Sequence, residues 1–225
     1  SCEIWKLTKL DKKGTGFGEK ALTYIKEKSY ERRLQLPLSK DVYSKPIAWG
    51  HFIEMYVHKY HLPLGFKSAG TKTIQHQKYN FWVGSPDNIN ELDKIVGDTK
   101  AYERKAFCEY ADSILTNDIT VLKDNHIQEY WQMVSNASIL GFTKIQPFLF
   151  IPYREELRII REEAEKYDGA DQWKYKFIFD SEDNQLPFIN SDGYYPNLVS
   201  NIYEVPQEDF AFLEEKIIKA DNMLA

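Results

Sequence analysis

Cysteine is nearly missing from this chain. Cys2 and Cys108 are the two in 225 residues, too few for a disulfide framework, and no Cys/His spacing follows the pattern of a zinc site. Also lacking is any apolar run near the roughly 20 residues that cross a bilayer. The opening Ser1-Cys2-Glu3-Ile4-Trp5 has neither the basic stretch nor the apolar core of a signal peptide. A cytoplasmic protein without membrane contact is therefore expected. Eleven glycines and 9 prolines are too few for a fibrous or low-complexity chain. What is present, 43% hydrophobic and 15% aromatic residues, suffices for one sizeable core, so a single domain over 1–225 is expected.

Net charge is -5, from 29 Lys+Arg against 34 Asp+Glu, which argues against a general nucleic-acid coat protein. The average hides an asymmetry. Residues 1–60 carry 12 basic and 7 acidic side chains, whereas 181–225 carry 2 and 9. Lys12, Lys13, Lys20, Arg32 and Arg33 in the basic quarter are the candidates for contact with a polyanion, and the acidic tail is expected to point away from it or toward a neighbouring subunit.

Hydrophobic spacing predicts helices over 19–33, with Leu22, Tyr24, Ile25 and Tyr30 as its apolar positions, and from Lys45-Pro46 to Tyr60. Between Thr71 and Lys100 the texture changes to short β-prone runs, 73–75, 79–84 and 94–98, separated by turn residues, which predicts a three-stranded antiparallel meander. Helices are predicted over 102–115 and 125–140, joined by a short polar connection, with Gly141 stopping the second. A buried strand at 145–151, a charged helix to about 167, strands at 173–179 and 198–203, and a final helix over 206–224 complete the reading. The order is that of an α/β protein with a central mixed sheet flanked by helices.

Chemistry concentrates in Gly84-Ser85-Pro86-Asp87 and in Asp98-Thr99-Lys100. Carried on adjacent antiparallel strands, Asp87 and Asp98 meet at one end of the sheet, and period-two alternation puts Asp98 and Lys100 on one face. Two carboxylates with a backbone carbonyl make a hard-oxygen site suited to Mg²⁺ or Mn²⁺, and a neighbouring ammonium can orient a water or meet a phosphate oxygen. Such a set suits phosphodiester hydrolysis. The five histidines form no ligand pair and read as structural or surface residues.

These residues resemble the signature of the PD-(D/E)xK nucleases, with Pro86-Asp87 as its first half and Asp98-Thr99-Lys100 as its second. Ala48-Trp49-Gly50-His51-Phe52-Ile53-Glu54 is similar to a helix motif of the lambda-exonuclease and YqaJ-like viral recombinase family. So are Glu129-Tyr130-Trp131-Gln132 with Gly141, and the closing Asn201-Ile202-Tyr203-Glu204-Val205-Pro206. The resemblance spans most of 17–154 and about 199–225. It implies a restriction-endonuclease-like core in which Glu54, Asp87 and Asp98 serve the metal and Thr99 adds its carbonyl. Lys100 would position or polarise the attacking water, and Gln132 would hold the water or the scissile phosphate. The implied activity is metal-dependent exonucleolytic hydrolysis of duplex DNA in phage or prophage recombination, in the cytoplasm of a bacterial host. A 5'-to-3' direction, a ring-like homo-oligomer and a single-strand annealing protein as partner are implied with it.

Some positions depart from that pattern. Asp98 stands where Glu is usual, Asn88 where Gly is commonest, accommodated as a turn residue tolerant of the left-handed region, and Val134 where a second Gln often follows Gln132. Residues at about 155–198 have no counterpart and are expected to be an insertion for oligomer contacts or a partner. Two other functions share the core: a PD-(D/E)xK endonuclease, and a catalytically silent DNA-binding subunit.

Overall fold

A computed structural model of the chain describes residues 3–39, 42–70 and 72–224. Cys2 and Thr71 lie outside them. The helices are α1 (Glu19–Leu34), α2 (Lys45–Tyr60), α3 (Arg104–Leu115), α4 (Ile119–Asn125), α5 (Ile127–Leu140), α6 (Leu157–Lys166), α7 (Lys176–Asp180) and α8 (Gln207–Asn222). The strands are β1 (Lys67–Ser68), β2 (Ile74–Gln75), β3 (Val83–Gly84), β4 (Asn88–Asn90), β5 (Ile95–Lys100), β6 (Lys144–Phe150), β7 (Leu198–Ser200) and β8 (Tyr203–Glu204). No described helix is long and apolar enough to cross a membrane.

Local chemistry sets several boundaries. Ser44 caps α2 by accepting from the amide of Ile47, with Pro46 in the first turn, where its missing N–H costs nothing. Gly141 ends α5 in the left-handed region at φ 68 and returns its amide to the carbonyls of Ala137 and Ser138. In α1 the buried positions are Ala21 and Ile25, while Leu22 and Tyr30 are exposed. The expected apolar face is thus rotated, because the N-terminal turn at Ile4–Thr8 packs on α1 beside Ala21 and Ile25.

Among the described residues the central sheet runs β1-β4-β5-β6-β7, with β8 also on β6. Strands β5 and β6 are parallel and the other pairs antiparallel, so α3, α4 and α5 form the crossover between them. The mixed, helix-flanked sheet is the α/β architecture expected from the sequence. Leu149 and Phe150, successive on β6, enter different hydrophobic clusters, as the pleat requires. The first cluster gathers Val96, Phe107, Tyr130, Ile145 and Leu213; the second gathers Phe52, Ile53, Leu157, Ile160 and Ile178.

Four local expectations fail. The meander does not form: among the described residues β2 pairs only with β3, and β5 pairs with β4, a strand made from Asn88-Ile89-Asn90 that reads as turn composition. Residues 173–179 fold as a 3₁₀ turn (Gln172–Lys174) and α7, because a short aromatic run that packs on α2 has no strand partner to seek. The connection before α5 contains α4, capped by the Asp118 side chain on the Thr120 amide. The strand expected at 198–203 splits at Asn201-Ile202 into β7 and β8.

Residues 155–198 cover α2. Leu157, Ile160, Ala164, Tyr175, Ile178 and Leu186 join Trp49, Phe52, Ile53, Tyr56 and Val57 in the second cluster, each fully buried apolar side chain contributing roughly 1.5–3 kcal/mol. Glu156 fastens the junction, accepting from the Tyr153 amide at 2.7 Å and from Asn197 Nδ2 at 2.8 Å, with His61 Nε2 at 3.1 Å.

Candidate active site

The acidic site is built on the β4–β5 hairpin. A four-residue loop closes it, with Asn90 Oδ1 accepting from the Asp93 amide and Lys94 in the left-handed region at φ 58. Asn88 pairs with Gly97, so one further step of the register sets Asp87 opposite Asp98. Asp87 Oδ2 accepts from the Thr99 amide at 2.9 Å. Asn88 is buried and extended rather than left-handed, correcting its expected turn role, and its Nδ2 donates to Thr99 Oγ1 at 2.9 Å. Gly97 is needed here for space: a Cβ would stand 2.6 Å from the Phe148 ring and 2.9 Å from Asn88 Cβ.

Alternation along β5 brings Asp98 and Lys100 to one face, with Lys100 Nζ 2.8 Å from Asp98 Oδ2. Asp98 is 1% exposed, and apart from that ammonium neither of its oxygens has a well-aligned hydrogen-bond donor among the described residues. Burial, with the Asp87 charge adding to it, pushes the Asp98 carboxyl up to about 7 against the pull of Lys100. Burial likewise raises Asp87, opposed by Lys100 and reinforced by Glu54. Glu54, half-buried on α2, is raised by burial and by Asp98. Lys100 stays above its ordinary value because Asp98 and Asp87 outweigh its own desolvation.

The structure thus gathers Glu54, Asp87, Asp98, Thr99 and Lys100. Gln132 is half-buried on α5, a helix that packs on β5, and has no hydrogen bond to the carboxylates. One residue of the site was missed. Glu129, one turn before Gln132 on the same helix face, accepts from Tyr102 Oη at 2.7 Å, and its charge acts on both Asp98 and Lys100. The three-residue spacing from Gln132 was its available signal.

Among the described residues no group of three or more His, Cys, Asp or Glu side chains stands in a metal-holding arrangement. Asp98 is turned to Lys100 and Asp87 to the Thr99 amide. Yet the donor set suits a hard cation: four carboxylates face one ammonium, and Asp98 keeps buried oxygens short of donors. Their oxygen chemistry fits Mg²⁺ or Mn²⁺.

The basic candidates lie on other elements. Lys12 and Lys13 are exposed in the turn between Ile4–Thr8 and α1, and Lys20, Arg32 and Arg33 are exposed on α1. Arg32 pairs with Asp221 of α8 at 2.6 Å, and the N-terminal segment packs on that helix. The acidic tail therefore lies beside the basic quarter, because the two are oppositely charged and share a core. Cys108 is a free, half-buried thiol on α3.

Fold and site together define an α/β protein with an acidic hairpin site on a mixed sheet. No family model and no curated protein sequence matches the chain. Solved structures similar to it include a phage-related exonuclease from Haemophilus somnus 129PT, with a TM-score of 0.59 and 14% identity over 99% of this chain and 92% of that one. Another is LHK-Exo, an alkaline exonuclease from Laribacter hongkongensis, with a TM-score of 0.56 and 12% identity over 99% and 85%. A structure of LHK-Exo with dAMP gives 0.57 and 12% over the same shares. At these identities the likeness is one of fold.

Proposed function

We propose that this chain is a divalent-metal-dependent exonuclease that hydrolyses phosphodiester bonds of duplex DNA, acting in phage or prophage recombination within a bacterial cytoplasm. The observation that carries the reading is the opposed Asp87/Asp98 pair with Lys100 beside it on β5, in a fold similar to solved exonucleases. Glu54, Asp87, Asp98 and the Thr99 carbonyl would hold Mg²⁺ or Mn²⁺. When bound, the cation supplies charge stabilisation at the phosphoryl oxygens and a more acidic attacking water. An acidic site of this kind repels phosphate until a cation balances it, which is why the reading includes the metal.

Hydrolysis needs no covalent nucleophile from the chain. A water oxygen attacks phosphorus in line with the leaving ester oxygen, one P–O bond forming as the other breaks, and the proton given up by the water is balanced by the one the leaving oxygen takes from solvent. Lys100, kept protonated by its acidic neighbours, orients that water and neutralises charge developing on phosphate. Gln132, on the helix packed against β5, is assigned to the water or scissile phosphate. The duplex is assigned to Lys12, Lys13, Lys20, Arg32 and Arg33. A homo-oligomer, a single-strand annealing partner and an added segment at about 155–198 within one domain complete the proposal.

The test is cleavage of linear duplex DNA labelled at either end, with and without Mg²⁺, beside closed circular DNA. Ion-dependent release from ends, absent on circles and lost in Asp87→Asn and Asp98→Asn, is expected. Nicking of circles would favour an endonuclease, and cleavage undiminished in either variant would overturn the site assignment.

A further inference from the structure

Beyond the carboxyl ends of the parallel pair β5–β6 lies a second hollow that the acidic site does not use. Its cavity is about 560 Å³, and its walls include Arg104, Arg154, Phe188, Asp192 and Tyr194. Arg104 opens α3 four residues after Lys100, and Arg154 follows the end of β6 by four. Both strands therefore deliver a guanidinium to the same edge, where open α/β sheets place their ligands.

Residues 188–190 close the hollow. Ile189 bridges to Tyr153 in parallel, donating to the Pro152 carbonyl at 3.0 Å and accepting from the Arg154 amide at 3.0 Å. Arg104 Nε donates to the Phe188 carbonyl at 2.9 Å, and the Arg104 and Arg154 guanidiniums lie 4.6 and 5.7 Å from the Phe188 ring centroid. One aromatic ring thus contacts both cations. Arg154 Nε is engaged by Asp183 at 3.1 Å, but Asp183 is shared with Arg161 at 2.8 Å, so one carboxylate serves two guanidiniums there. Asp192 is the acidic member of the lining.

The lining also includes an aromatic in water. Tyr194 is 83% exposed, and its ring stands edge-on to Tyr195 with centroids 4.9 Å apart. Tyr195 is in turn fixed by a 2.6 Å hydrogen bond to Asp112 and by the buried Phe107 ring at 5.8 Å. A solvent-facing ring propped edge-on by Tyr195, in the same hollow as two oriented guanidiniums, matches one ligand chemistry: a phosphate for the forks and a base for the ring face. Bases of a duplex are already stacked, so the ring selects an unpaired strand.

We infer that this hollow binds a single-stranded nucleic-acid segment, with a phosphodiester between Arg104 and Arg154 and the adjoining base on Tyr194. The inference rests on the nuclease reading above and extends it to the unpaired strand, giving part of the 155–198 stretch a role in substrate binding.

The test uses the full chain in EDTA, where cleavage is suppressed, and the fluorescence anisotropy of a labelled oligothymidylate. Tyr194→Ala is expected to weaken binding about tenfold, equivalent to ~1.4 kcal/mol, Tyr194→Trp to retain it, and an oligonucleotide of abasic residues to bind wild type and Tyr194→Ala alike. Arg104→Ala with Arg154→Ala should weaken both ligands and lower the slope of log K against log salt by about 0.7. Unchanged oligothymidylate binding in Tyr194→Ala, an equal loss on the abasic strand, or competition by dTMP as effective as by the oligonucleotide would overturn the inference. Such a result leaves Mg²⁺-dependent cleavage untouched. Conversely, a chain that binds unpaired strands through Tyr194 but never cuts DNA would refute the nuclease reading alone.

Discussion

Replacing Asp98 by asparagine is expected to stabilise the protein while abolishing its activity. The carboxyl is 1% exposed, and burial beside Asp87 raises it from 3.8 to about 7 despite Lys100. Each tenfold in that equilibrium is ~1.4 kcal/mol, so the ionised side chain costs the fold about 4 kcal/mol at most. A raised carboxyl keeps its proton longer in the folded state, so stability falls as pH climbs from about 4 to about 7 and levels off above. Asparagine mimics the protonated acid, and Lys100 retains Asp87 as a partner. At ~2–4 °C per kcal/mol for a chain of this size, Asp98→Asn should melt on the order of 10 °C higher at pH 8 and match wild type below pH 4. Calorimetric melts in EDTA across this range measure the difference. A lower melting temperature at pH 8, or a gain equal at every pH, would refute the reasoning, and a stable variant without Mg²⁺-dependent cleavage would show that the lost activity is not lost folding.

Four further outcomes are expected. Lys100→Ala should lower the cleavage rate by several orders of magnitude without weakening Mg²⁺ binding in calorimetry, since its ammonium competes with a cation for Asp98; lost ion binding would contradict this. Neutralising Lys12, Lys13 and Lys20 together should weaken duplex binding and flatten its salt dependence, and an unchanged slope would move the duplex elsewhere. Burial raises the Glu156 carboxyl, but bonds from His61, Asn197 and the Tyr153 amide outweigh it and hold the group below 4.5. Glu156→Gln should thus lose about 1–2 kcal/mol at pH 7, a difference that fades as pH falls below that range and that melts at pH 3 and 7 would reveal. Gly97→Ala would crowd Phe148 and Asn88 and should destabilise by about 1–3 kcal/mol; an unchanged denaturation midpoint would show that the ring yields freely.

Short-range features were determined by the sequence itself. Ser44 and Pro46 open α2, Gly141 closes α5, and the period of β5 puts Asp98 and Lys100 on one face, because capping, φ limits and strand alternation act within a few residues. Strand partners were decided only by the tertiary structure. Asn88-Ile89-Asn90 has turn composition, yet it lies in the ladder between β1 and β5, where Asn88 gains Thr99 and loses contact with water. The aromatic run at 173–179 carried a strand-like pattern and became helical because its contacts are the side chains of α2. The charge of Glu129 acts on Asp98 and Lys100 only once the β5-to-β6 crossover lays α5 on β5. In the same way Arg104 and Arg154, 50 positions apart in the chain, share one ring because β5 and β6 run parallel and end together. Such juxtapositions depend on which distant segments exclude water from one another, and no local pattern carries that information.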